Sequence, residues 1–114
     1  ITATAHEHMG IGVFGGLPGA YVLFSPAIGG SSVKLGTWFH LAGTYDGITL
    51  RIYLDGAEVT YADLAVQISA DDSFFAIGGN FNIDTMKELT AGRIDDVRLY
   101  NRALPPAEVA ALAR

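Results

Sequence analysis

The stretch from residue 36 to 56, GTWFHLAGTYDGITLRIYLDG, limits the fold more than any other part of the chain. Asp46-Gly47 separates two strand-like runs, residues 37–45 and 49–54, and Asp55-Gly56 closes the second. Asp-Gly between such runs signals a hairpin, because Gly takes a positive φ at little steric cost. In the second run Leu50, Ile52 and Leu54 alternate with Arg51 and Tyr53. A period of two is that of a strand with one face buried. The expectation is a hairpin in which Trp38 and the Leu50/Ile52/Leu54 row fill a core while Arg51 and Tyr53 point outward.

The flanking sequence reads as further short strands. Residues 1–8 alternate, with His6 and His8 on one face. Residues 10–19 are broken by glycines and Pro18, leaving at best a short strand over 11–14. A strand over 20–25 is stopped by Pro26, and residues 32–35 offer a short pairing segment. Strands are expected over 57–61, 74–77 and 90–100, a loop or helical turn over 81–88, and a short helix over 105–114. That helix is too short to persist alone and must dock on the body. About eight to ten short strands with Gly-rich turns describe an antiparallel sandwich or barrel.

Composition narrows the function classes. The 114 residues suffice for one domain, taken as residues 1–114, and half of them are hydrophobic with 17% charged, as in a globular chain. A formal net charge of −5 argues against nucleic acid and anionic membrane surfaces, which need a basic footprint. No apolar run approaches the roughly 18 residues of a membrane span, so no membrane insertion is expected. The absence of cysteine excludes disulfides and thiolate metal sites. The first residues show neither a basic nor an apolar signal region, and the chain is read as a mature product or a fragment.

Trp38-Phe39-His40-Leu41-Ala42-Gly43-Thr44-Tyr45-Asp46-Gly47 followed by residues 50–56 resembles the central motif of laminin-G-like domains of the concanavalin A-like lectin/glucanase superfamily. Ala76-Ile77-Gly78-Gly79-Asn80, then residues 90–104 (TAGRIDDVRLYNRAL) and a Glu-containing helix, resemble the closing part of the same domains. The resemblance spans roughly residues 11–112 and implies an all-β, antiparallel jelly-roll β-sandwich with a short C-terminal helix. It also implies a non-catalytic binding module of a secreted or surface protein, one that engages a glycan or protein ligand. Family members usually begin with a further N-terminal segment that nothing in this chain matches. A sheet lacking those strands would expose an edge and an apolar face, so a homo-oligomer covering the edge is expected.

Candidate sites follow. For carbohydrate binding, Arg51 and Tyr53 on the outward face and Asn80 and Asn82 in a polar rim segment are the expected contacts. Asp95 and Asp96 are adjacent on a strand and point to opposite faces, so they do not act as a pair. By resemblance, Asp95 sits where related domains place a structural Ca²⁺ ligand, and oxygen ligands suit that ion; its other role would be pairing with Arg93 or Arg98. His6 and His8 share a face that suits a borderline metal, with His40 a third ligand only if the strands pair. Gly29-Gly30-Ser31-Ser32 has neither the lysine nor the following helix of a phosphate-binding loop. The four Glu residues are widely separated, which departs from the paired carboxylates of retaining glucanases and disfavours a hydrolase.

Overall fold

The computed structural model describes residues 9–14, 16–22, 25–65, 77–78, 80–82, 85–87 and 91–114. Three strands form one antiparallel sheet in the order β1 (Met9–Phe14), β2 (Leu17–Val22), β3 (Ser25–Ile28). Three more form a second, β4 (Leu41–Tyr45), β5 (Thr49–Leu54), β6 (Ala57–Asp63), with β5 in the middle. The sheets stack with β2 over β5, β3 over β6 and β1 over β4, the two layers of an all-β sandwich. A small hairpin, β7 (Asn80–Asn82) and β8 (Thr85–Lys87), stands apart from both sheets. One helix, α1 (Pro106–Leu112), follows near the C-terminal end.

Among the described residues, the buried cluster between the sheets is aliphatic. Leu50 and Ile52 from β5 meet Ala20 and Ala27, with Leu41, Tyr45, Val59, Ala62 and Leu64 around them. Full burial of side chains such as Leu50 and Ile52 stabilises by about 1.5–3 kcal/mol each. Small residues let the layers approach: a Cβ on Gly43 would lie 3.3 Å from Ile11 Cδ1. A second cluster lies on the other face of β5, where Tyr53 packs with Leu104 and Val109 under α1, flanked by Ala42 and Leu112.

Several sequence expectations change. Tyr53 does not point outward to solvent; it is 1% exposed, because α1 covers that end of β5 and supplies the apolar partners that the strand alternation alone does not reveal. Trp38 is 65% exposed instead of anchoring the core. The first strand of the hairpin begins at Leu41, not at residue 37. The strand β2 runs through Pro18 and Gly19, since Pro18 stands near the strand's start, where a missing N–H is tolerated. Pro26 lies within β3 on the edge of its sheet. Residues 32–35 carry no strand, and residues 93–100 run without a strand partner among the described residues. Where a loop or helical turn is expected over 81–88, Asn80–Asn82 and Thr85–Lys87 pair as the strands β7 and β8. The expected strand over 1–8, with His6 and His8, and all but Ile77 of that over 74–77 lie outside the described residues.

Both Asp-Gly turns are present and differ in kind. Asp55 (φ 51°) and Gly56 (φ 84°) make a two-residue connection between Leu54 and Ala57, with positive φ at both positions as a type I′ hairpin requires. Asp46-Gly47 belongs to a four-residue connection, because Tyr45 pairs with Leu50. There Asp46 Oδ1 accepts the N–H groups of Ile48 (2.9 Å) and Thr49 (2.7 Å). In β6 the register slips: Ile52 pairs with Thr60 and Tyr53 with Glu58, leaving Val59 as the extra residue of a bulge.

Candidate functional site

A cleft of about 340 Å³ opens where the start of β4, the β5–β6 turn, residues 95–96 and the end of α1 meet. It is lined by Trp38, Phe39, His40, Asp55, Asp95 and Asp96, and closed by Leu112, Ala113 and Arg114. Its floor is a clamp that the type I′ turn builds. Asp55 N–H donates to the His40 carbonyl (2.8 Å), and His40 N–H donates to Asp55 Oδ1 (2.9 Å). The clamp ends the β4–β5 ladder at Leu41–Leu54, and the chain before it leaves the sheet, which puts Trp38 at the surface. Nδ1 of His40 is buried without a hydrogen-bond partner.

Asp95 and Asp96 also line the cleft. Asp96 has a left-handed backbone (φ 54°), and its N–H donates to Asp95 Oδ1 (2.8 Å). Its two carboxylate oxygens receive Arg98 Nε (3.1 Å) and Nη2 (3.2 Å), a fork-on-fork pair. Contacts with Tyr100, and then with Asp96, favour the charged form of Arg98. Asp95 and Asp96 therefore act locally as a turn, not as opposite faces of a strand. Arg98 pairs with Asp96 and leaves Asp95 to the cleft.

The residues expected to bind ligand are dispersed. Arg51 donates to Glu58 (2.9 Å) and lies 6.0 Å from the ring centroid of Tyr61, its cross-strand partner, so its fork is already engaged on β6. Glu58 holds the guanidinium in its charged form. Tyr53 shares the strand face with Arg51 but sits beneath α1, with its hydroxyl buried and unpartnered, so it is a core residue and not the surface contact that alternation predicts. Tyr45, another aromatic on the central hairpin, is tied down by its hydroxyl's bond to the Leu64 carbonyl. Asn80 and Asn82 stand at the two ends of β7, opposite Lys87 and Thr85, and are not among the described residues lining the cleft. Of the expected ligand and metal residues, Asp95 lines it, and so does His40, the conditional third ligand of the His6/His8 metal reading.

Among the described residues no three His, Cys, Asp or Glu side chains gather as a metal-ligand set. The Ca²⁺ that the resemblance implies would find Asp95 as one oxygen donor, with Asp96 occupied by Arg98 and one oxygen of Asp55 by His40.

Trp38 and Asp55 line the cleft without being among the expected contacts: hydrophobicity alone places Trp38 in the core, and local pattern makes Asp55 only a turn former. The usable signal was the join itself: an Asp in an Asp-Gly turn can cap the strand that pairs with it, and the residues before that strand are then released.

No curated protein matches the chain. Among solved structures it is similar to an S-layer domain-containing protein from Clostridium thermocellum, solved for residues 221–444, with a TM-score of 0.62 and 23% identity. The match covers 86% of this chain and 56% of that one, so the chain spans little more than half of that structure's length. At this identity the likeness speaks to the fold. A laminin-G-type family model, described as the concanavalin A-like lectin/glucanases superfamily, matches residues 12–110. With that match over most of its length, and two stacked antiparallel sheets behind the cleft, the chain belongs to the concanavalin A-like lectin/glucanases superfamily as a laminin-G-like domain.

Proposed function

We propose that the domain is a non-catalytic, carbohydrate-binding module of a cell-surface or extracellular protein, and that the cleft at Trp38 is its sugar site. The observation that carries this reading is the exposed Trp38 beside Asp55 and Asp95. A flat apolar ring takes the C–H face of a sugar, and carboxylate oxygens accept its hydroxyls. Domains of this family are generally binding modules, and the S-layer neighbour supports a surface setting. The test is titration of bacterial and plant polysaccharide fragments by calorimetry. Trp38→Ala should lower affinity at least tenfold, or about 1.4 kcal/mol, while Tyr53→Phe binds as the parent does. Equal binding by the Trp38→Ala protein would remove the cleft from consideration.

A second reading, self-association, is favoured by one observation. Ile94, Val97, Leu99 and Tyr100 are exposed on a segment that turns at Asp95–Asp96 and that no described strand pairs. An exposed apolar row of this kind is a surface for another chain. Sedimentation velocity should find a concentration-dependent dimer that Leu99→Lys disrupts. A monomer at all concentrations sinks this reading.

A further inference from the structure

The cleft carries more negative charge than a site for neutral sugars needs. Asp96 is neutralised by Arg98, but Asp55 and Asp95 each use only Oδ1, for the N–H of His40 and of Asp96. The second oxygen of each has no partner among the described residues. Arg114 is the one basic side chain among the described lining residues besides the imidazole of His40, and it is exposed at the rim. The end of α1 lies against the same space with no basic residue in its last turn, so its final carbonyls add negative potential. Trp38 lines the same cleft, and an indole ring face attracts cations as well as sugar C–H groups.

We propose that the ligand of this cleft is a glycan bearing a free, protonated amino group: an amino sugar that is not N-acetylated. The ring lies on Trp38, and the ammonium is received by the free oxygens of Asp55 and Asp95. This rests on the carbohydrate reading and sharpens it. A lysine side chain offers the same charge, but a single open tryptophan suits a flat ring better than a thin alkyl stem, which an enclosed set of aromatics would hold.

Chitosan oligosaccharides, their fully N-acetylated counterparts, cello-oligosaccharides and a lysine-rich peptide provide the test, titrated against the folded domain. N-acetylation removes the charge and keeps the ring. The expected result is at least a tenfold preference for chitosan over the N-acetylated and cello-oligosaccharides. In the Asp55→Asn/Asp95→Asn double variant that preference disappears. Asn tolerates the left-handed turn position, and its carbonyl oxygen still accepts the His40 N–H, so folding is retained; a thermal melt checks it. Equal affinity for free-amine and N-acetylated oligosaccharides overturns the proposal and leaves carbohydrate binding standing. Binding of the peptide as tight as that of chitosan overturns it in favour of a basic protein segment. Binding of none of the saccharides overturns both it and the carbohydrate reading.

Discussion

At the scale of single residues, an aspartate's place in its turn decides its work. Asp46 Oδ1 takes the N–H groups of Thr49 and Ile48, and these bonds, Thr49's first, draw its pKa below the ordinary carboxylate value. A carboxylate depressed in the folded state contributes stability above its unfolded pKa (roughly 3.9). That contribution fades as pH falls through the folded value. Asp46→Ala should therefore melt below the parent at neutral pH, and the gap should close as pH drops beneath the ordinary carboxylate range. Melting curves across pH check this; a gap independent of pH would mean that the charge has no part in it. Asp55 does different work: it faces back across the hairpin to His40 and builds the cleft floor. Both are Asp before Gly, and only the register of the flanking strands separates their roles.

At the scale of elements, α1 converts a surface strand face into a second core. Val109 is fully buried against Tyr53 and Leu104, and Arg102 to Glu108 (2.8 Å) ties the incoming loop to the helix. That ion pair is half exposed and adds only about 0–1 kcal/mol, so packing does the holding. Gly56 permits the contact, since a Cβ there would lie 3.1 Å from both Ala110 Cα and Ala113 Cβ. Val109→Asp should destabilise the domain by about 3 kcal/mol through a buried, unpaired charge. It should also speed amide exchange at Tyr53 and Ala42; an unchanged urea midpoint would show that α1 merely rests on the sheet. The strands β4, β5 and β6, the Asp-Gly turns and the helix were legible in local pattern, because alternation and turn chemistry are written within a few residues. The burial of Tyr53 was not, because its cover comes from Val109, 56 positions away along the sequence. Strand alternation states that Arg51 and Tyr53 share a face; it does not state that a helix covers only one of them. The site failed to show for the same reason: Trp38, Asp55 and Asp95 come from three separate segments, joined only by the fold.

At the scale of the molecule, β5 is the shared wall. One face packs against the opposite sheet through Leu50 and Ile52, and the other lies under α1 through Tyr53. The cleft adjoins the turn that ends this strand, and the end of α1 also lines it. The exposed row at Ile94, Val97, Leu99 and Tyr100 lies outside both cores, so the proposed self-association there and the proposed ligand binding at Trp38 can be separated by substitution. Trp38 also gives the molecule an optical label. It is the one tryptophan of the chain and stands largely in water at the cleft mouth. Its emission in the free domain should be long-wavelength and readily quenched by iodide or acrylamide. A ring stacked on the indole should shift the emission to the blue and shield it from quencher, so occupancy can be followed by fluorescence in the unmodified protein. A blue, quencher-resistant spectrum without ligand would show instead that the indole is covered in solution.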